Sequence, residues 1–323
     1  MDGGPKYSII VPVYNRPDEV RELLESLTGQ SYKNFEVLIV EDGSTITCEK
    51  VFEEYTQLLR IRYFFKPNSG PGPSRNFGFK QARGNYLVVF DSDCIIPEGY
   101  FKAVEDFLGH TPLDAWGGPD RGHRDFTILQ QAMAFTMSSV FTTGGIRGRK
   151  KAPGAFQPRS FNMGISKEVF LHTGGFAFDR FAEDIEFSLR MKELGYRVGY
   201  IHEAFVYHKR RTGLKQFFWQ VYNFGRGRVL VGRAHHGAIK ITHWLPSFFL
   251  LGMAIMVGSL AVDKRASLLL GIVYLTYLVI LSISAFKNTK SLGVALLAAP
   301  SAIVQLTGYG VGFLREKLKT LHQ

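Results

Sequence analysis

Tyr86-Leu-Val-Val-Phe-Asp91-Ser92-Asp93 is an apolar, β-rich run that ends in two carboxylates one residue apart. Crowded carboxylates repel unless something positive sits between them. Hard Mg²⁺ or Mn²⁺ answers that need, binding one or two carboxylates and taking its other ligands from water and substrate phosphates. Asp-Ser-Asp is also an ordinary turn sequence, so the flanking chain has to decide. Upstream, short apolar runs alternate with helix-period segments: Tyr7–Val13, Phe35–Val40 and Ile61–Phe65 as strands, Val20/Leu23/Leu24/Leu27 and Val51/Tyr55/Leu58/Leu59 as helix faces. That alternation predicts an α/β fold with a mostly parallel sheet. Ligands in such sheets collect at the carboxyl ends of strands, where Asp42, Asp91 and Asp93 all fall.

Further along, the glycine-rich Asn68–Pro73 loop precedes a short helix expected over 74–82. Gly144–Gly154 is glycine-rich and basic and reads as a surface loop, a lid or a lipid contact. A helix is expected over Glu183–Leu194, and a strand or strand pair over Tyr196–Tyr207, just before His208. Cys48 and Cys94 are the two cysteines, too few for a disulfide framework, and fit a reducing compartment. Lys6-Tyr-Ser-Ile-Ile-Val-Pro starts a strand at once, so no signal peptide is expected.

The net charge of +11 is uneven. Ala204 to Val262 holds no Asp or Glu, yet carries Lys209, Arg210, Arg211, Lys215, Arg226, Arg228, Arg233 and Lys240. Apolar stretches follow at Ile241–Val262, Ala266–Phe286 and Ser291–Leu314, each long enough for the ~20 residues of a bilayer core. A basic block beside such stretches favours anionic lipid headgroups over nucleic acid. The mixed aromatic and basic run Leu214–Val231 has the composition of an interfacial helix. The expected organisation is an α/β domain over 1–208, a basic amphipathic interfacial segment over 209–240, and a membrane domain over 241–323 with two to three transmembrane helices. A multi-pass protein is expected, and the positive-inside rule predicts that its N-terminal α/β part faces the cytoplasm, as in a bacterial inner membrane. Three full spans would leave Arg315, Lys317 and Lys319 on the far side, against that rule.

Ile9-Ile-Val-Pro-Val-Tyr-Asn15, Glu41-Asp-Gly-Ser44, Asn68-x-Gly-x-Gly-x-Ser-Arg75-Asn76-x-Gly78, Phe90-Asp-Ser-Asp93, Phe161-Asn-Met163, Gly174-Gly-Phe176 and Phe181-Ala-Glu-Asp184 occur in the order and spacing of a known family. With His208 they resemble glycosyltransferase family 2 over about Tyr7 to His208. The resemblance implies a GT-A fold, a nucleotide-sugar donor, Mg²⁺ or Mn²⁺, and inversion at the anomeric carbon. It gives Asp93, with Asp91 and His208, to the metal, and Asp91 also to the ribose. Pro12, Tyr14 and Asn15 suit base and ribose at the end of the first strand. Asp42 suits a ring N–H, with Glu41 beside it for the ribose; an Asx-turn is the plain alternative. Arg75 suits the diphosphate, or else a structural salt bridge. Asp184 is expected to take the acceptor hydroxyl's proton, with Glu183 binding donor or acceptor; both also complement a helix N-terminus. Asn162 is expected to contact sugar. Gln216-Phe-Phe-Trp219-Gln220 lacks the Arg-Trp pair of processive synthases, which favours single-sugar transfer to a hydroxyl of a lipid or lipid-linked saccharide. A polyprenyl-phosphate sugar synthase, a processive polysaccharide synthase and an inactive nucleotide-sugar-binding scaffold are the alternatives.

Overall fold

The computed structural model describes residues 4–121, 126–144, 156–209 and 212–319; most of the glycine-rich stretch after Gly144, and Arg210 and Arg211, lie outside them. The chain opens β1 (Tyr7–Val13), α1 (Pro17–Thr28), β2 (Phe35–Asp42), α2 (Glu49–Tyr55), β3 (Ile61–Lys66), α3 (Pro71–Gln81), β4 (Tyr86–Val89), β5 (Cys94–Ile95), α4 (Tyr100–His110), β6 (Ala115–Gly117) and β7 (Asp120–Arg121). Then come α5 (Ile128–Ser138), α6 (Val140–Thr143), β8 (Met163–Ser166), α7 (Lys167–Thr173), α8 (Glu183–Glu193), β9 (Val198–Tyr200) and β10 (Val206–His208). The remainder is α9 (Leu214–Ala234), α10 (Leu245–Ser259), α11 (Lys264–Thr289) and α12 (Leu292–Lys319).

Two compact units result, one from Met1–His123 with Lys151–Lys209, the other from Arg124–Lys150 with Arg210–Gln323. The domain expected over 1–208 is thus interrupted, since the segment bearing α5 and α6 belongs to the second unit. Its reason is hydrophobic, since Met133 and Met137 of α5 cluster with Phe217 and Val221 of α9.

The first unit holds a seven-stranded sheet in the order β3-β2-β1-β4-β8-β6-β9. β3, β2, β1 and β4 are parallel, so their carboxyl ends share one edge. β8 runs antiparallel to both β4 and β6. Alternation along the strands fills both faces. Ile9, Val11 and Val37 pack with Val20, Leu23 and Phe101 on one side, while Ile10, Leu38 and Val40 pack with Phe79, Val169 and Phe187 on the other. A second, small sheet pairs β10 antiparallel with β5 and parallel with β7, setting His208 opposite Cys94.

α3 begins earlier than the expected 74, because Pro71 suits a first helical turn. Gly70 is left-handed at φ 102°, and a Cβ on Gly72 would lie 2.1 Å from the Phe178 carbonyl oxygen. These glycines admit the backbone of 178–180, and Gly72 N–H donates to the Asp179 carbonyl at 2.9 Å. The close approach brings the start of α8 beside α3.

In the second unit α9 and α12 pack closely. A Cβ on Gly225 would stand 2.2 Å from the Tyr309 carbonyl oxygen, and one on Gly312 2.0 Å from that of Tyr222. Arg226 Nε holds Glu316 Oε2 at 2.9 Å. The apolar side of α9 expected to face lipid, including Phe217, Val221 and Tyr222, is thus buried within the unit, while Trp219 stays exposed. Alanine at Gly225 should therefore lower the melting temperature of detergent-solubilised protein. Overpacking costs about 1–3 kcal/mol, against the ~1 kcal/mol by which alanine ordinarily favours a helix. A higher melting temperature would refute this packing.

α11 and α12, of 26 and 28 residues, are long and apolar enough to cross a membrane. The first apolar stretch is not one long helix: a 3₁₀ turn at Ile241–His243 precedes α10, and Asp263 caps α11. α10 has 15 residues, or about 22 Å at 1.5 Å per residue, short of the ~30 Å hydrocarbon core.

Candidate active site

The site lies along the carboxyl edge of β2, β1 and β4, where strand order reverses around β1. At the end of β2, Asp42 accepts from Lys66 Nζ and from the backbone N–H groups of Ser69 and Gly70, both at 2.9 Å. Burial alone would raise its pKa, but Lys66 and these N–H groups outweigh it and hold the carboxyl below its usual range. Its neighbour Glu41 is fully buried. Glu41 accepts from Ser44 Oγ, the Cys48 N–H at 2.8 Å and Tyr63 at 3.3 Å. Glu41 braces the loop after β2, turning away from the ribose role expected of it.

Asn15, left-handed at φ 54°, accepts through Oδ1 from the N–H groups of Thr45 and Ile46 at 2.8 and 2.9 Å. It ties the end of β1 to the loop after β2. Pro12 is half-buried beside it, and Tyr14 is 52% exposed with its ring available to a flat ligand.

Arg75 on α3 sits at the centre, with its side chain 4% exposed. Its two terminal nitrogens reach Asp91 Oδ1 at 2.8 Å and Glu183 Oε1 at 2.7 Å. Its guanidinium carbon is 5.3 Å from the Phe176 ring centre. The structural salt bridge is therefore the position Arg75 occupies; a guanidinium committed to two carboxylates inside the unit is not extended toward a diphosphate. What it does is join the carboxylate after β4 to the one that opens α8.

Ala182 precedes α8 in the left-handed region, at φ 58°. A non-glycine residue held there stores about 1–3 kcal/mol of strain, a pattern found at functional sites. It aims Glu183 and Asp184 differently. Glu183 is buried, and burial raises its pKa, against Arg75 and reinforced by the neighbouring Asp184. The Asp184 side chain is more open, with Oδ2 3.5 Å from Arg159 and Oδ1 accepting from the Ile185 N–H.

Asp93 closes the other side. Its Oδ1 is 3.1 Å from His208 Nε2 and its Oδ2 is 3.0 Å from Arg16. The His208 ring stacks on Phe161, centres 4.9 Å apart. Asp93, Cys94 and His208 each offer a ligand atom, all within 4.8 Å of one another. This oxygen, sulfur and nitrogen set fits a divalent cation. Asp91, expected among the metal ligands, is instead turned to Arg75. Cys94 is buried, and burial, followed by Asp91 and Asp93, raises its thiol pKa.

Asn162 does not face the site. Its side chain is fully buried, accepting from Tyr100 at 2.6 Å and donating to the Ala204 carbonyl at 2.8 Å. Its expected sugar contact gives way to a structural role, since a buried amide must satisfy both its donor and acceptor ends. No sequence pattern marks Arg16, Lys66 or Arg159 as site residues, or Cys94 as a neighbour of His208. Arginines and lysines are common on surfaces, and only β10 folding against β5 brings Cys94 and His208 together.

The parallel sheet with an antiparallel excursion after β4, and an acidic carboxyl edge at its switch point, define a GT-A type of α/β fold. Residues 8–219 match glycosyl transferase family 2, and the chain belongs to that family. It is 32% identical over 218 residues to an uncharacterized glycosyltransferase of Haemophilus influenzae, covering 64% of this chain and 70% of that one. An uncharacterized glycosyltransferase of Rickettsia felis is 47% identical over 88 residues, covering 27% of this chain and only 15% of the relative's length. A mannosyltransferase from Pyrobaculum calidifontis, solved in complex with GDP-mannose and Mn²⁺, superposes with a TM-score of 0.66 at 17% identity, covering 94% of this chain and 88% of that one.

Proposed function

We propose that this protein is an inverting, metal-dependent glycosyltransferase that moves one sugar from a UDP- or GDP-type donor to a hydroxyl of a lipid or lipid-linked saccharide at the cytoplasmic membrane face. The observation that carries the reading is Arg75 binding Asp91 and Glu183 at once. That contact draws the strand-end carboxylates and the start of α8 into one site, within reach of a single donor molecule. Asp42, kept ionised by Lys66 and two backbone N–H groups, retains acceptor capacity for a ring N–H of the nucleobase. Tyr14 stacks on that base.

Asp184 is the more exposed of the α8 pair and takes the acceptor hydroxyl's proton as its oxygen attacks the anomeric carbon. The new glycosidic C–O bond forms as the bond from the anomeric carbon to the diphosphate oxygen breaks, so configuration inverts without a covalent intermediate. Glu183, fixed by Arg75, positions the sugar. Asp93 and His208 would hold Mg²⁺ or Mn²⁺, which when bound supplies Lewis acidity to the departing diphosphate.

α11 and α12 serve as membrane spans. With two crossings both ends of this pair lie on one side, so Arg315, Lys317 and Lys319 join the basic block on the cytoplasmic face, which removes the conflict that three spans create. Anionic lipids are the partners of that basic block, and no nucleic acid is expected.

A thermal-shift panel on the full chain in detergent tests the donor. With Mn²⁺ present, nucleotide sugars of one base should raise the melting temperature. At one hundred times Kd the stabilisation is about 2.7 kcal/mol. A panel in which no nucleotide sugar shifts the transition refutes the reading.

A further inference from the structure

We infer that Cys94 Sγ is a third protein ligand to the cation held by Asp93 and His208, and that this thiolate makes the site prefer a borderline transition-metal ion to Mg²⁺. The inference rests on the metal-dependent reading above and concerns which ion the site takes. Three observations converge on it. In the antiparallel pair of β5 and β10, Cys94 stands directly opposite His208, and directly opposed residues project to the same face. Asp93 Oδ1 already lies 3.1 Å from His208 Nε2, the separation of two neighbouring ligand atoms on one ion. The Cys94 sulfur falls within 4.8 Å of both, so a cation between the carboxylate and the imidazole reaches it with small side-chain shifts.

Charge and softness then select the ion. Asp91 faces Arg75, and Asp93 faces Arg16 as well as His208, so a thiolate adds negative charge that a 2+ ion beside Asp93 would otherwise lack. On coordination the metal–sulfur bond forms and the thiol proton passes to solvent. Sulfur is a poor ligand for Mg²⁺, which keeps to oxygen in near-ideal octahedral geometry. Imidazole and thiolate favour Mn²⁺, Co²⁺ and Zn²⁺ in rising order. Cys94 now donates, at 3.5 Å, to the carbonyl of Phe161, the residue whose ring stacks on His208; a thiol is a weak donor, so this bond is readily exchanged for a metal–sulfur bond.

Co²⁺ added to the full chain in detergent is the probe, read by absorption. Wild type should show a near-ultraviolet thiolate-to-cobalt band that Cys94→Ser loses and Cys48→Ser keeps. Cys94→Ser should also weaken Co²⁺ binding by at least about tenfold, the least that losing even an outer-shell partner of a metal ordinarily costs, while Mg²⁺ binding, which depends on oxygen donors, should not weaken. Should Cys94→Ser fail to fold, Cys48→Ser, which keeps Cys94 as the single cysteine, decides alone by retaining or losing the band. Cobalt that binds through Asp93 and His208, as their alanine variants report, without a thiolate band overturns the Cys94 assignment and leaves the metal reading standing. Absent cobalt binding, or binding indifferent to both alanine variants, overturns the two together.

Discussion

Arg75→Met should cost about 3–5 kcal/mol of stability, the range for removing one partner of a buried ion pair, and should abolish transfer. Methionine fills similar volume, so the loss is electrostatic. Glu183 would remain buried without the cation that faces it, and Asp91, more open to water, would lose its anchor. Arg75→Lys should rescue little, because a single ammonium cannot direct two N–H groups to carboxylates on different elements. Chemical denaturation of the detergent-solubilised protein measures the first effect. A variant as stable as wild type would show that this three-way contact is not what holds α8 to the edge of the sheet.

Asp184→Asn should reduce transfer by about 10²–10⁴-fold, the usual contribution of a positioned base, while nucleotide-sugar binding stays near wild type. The amide is isosteric and still accepts from the Ile185 N–H, so α8 should keep its start. Initial rates with a hydroxyl acceptor, alongside donor affinity, separate chemistry from binding. A variant that keeps full activity would indicate an acceptor that needs no base, as a polyprenyl phosphate does, and would move the assignment to that type of synthase.

The sheet was legible because strands buried on both faces must be apolar and turns must follow them; β1 to β4 and the acidic residues at the ends of β2 and β4 are local features. The glycine-rich segment before Arg75 was legible too, though not its purpose, which is to admit the backbone of 178–180. Partnerships across the chain were not. Arg75 meets Glu183, 108 residues later, and no local pattern separates a phosphate-binding arginine from one committed to two carboxylates. Asn162 and Glu41 look like ligand-binding side chains in sequence, yet both satisfy buried hydrogen-bonding groups near the strands. The second unit shows the same limit. Apolar length suggests spans, but Gly225 and Gly312 hide a helix contact within what reads as an interfacial segment, and α10 stops short of a crossing. His208 was legible as a candidate ligand, whereas Cys94 became its neighbour only through β5 pairing with β10.

Equilibrium binding of the nucleoside diphosphate UDP or GDP to the full chain, with Mn²⁺ and with EDTA, in wild type and Asp93→Ala, tests the central claim most directly. One of the two nucleotides should bind wild type tightly with Mn²⁺, and lose most of that affinity in EDTA or when Asp93 is replaced. Equal affinity under all of these conditions would mean that the acidic edge holds no metal-bound diphosphate.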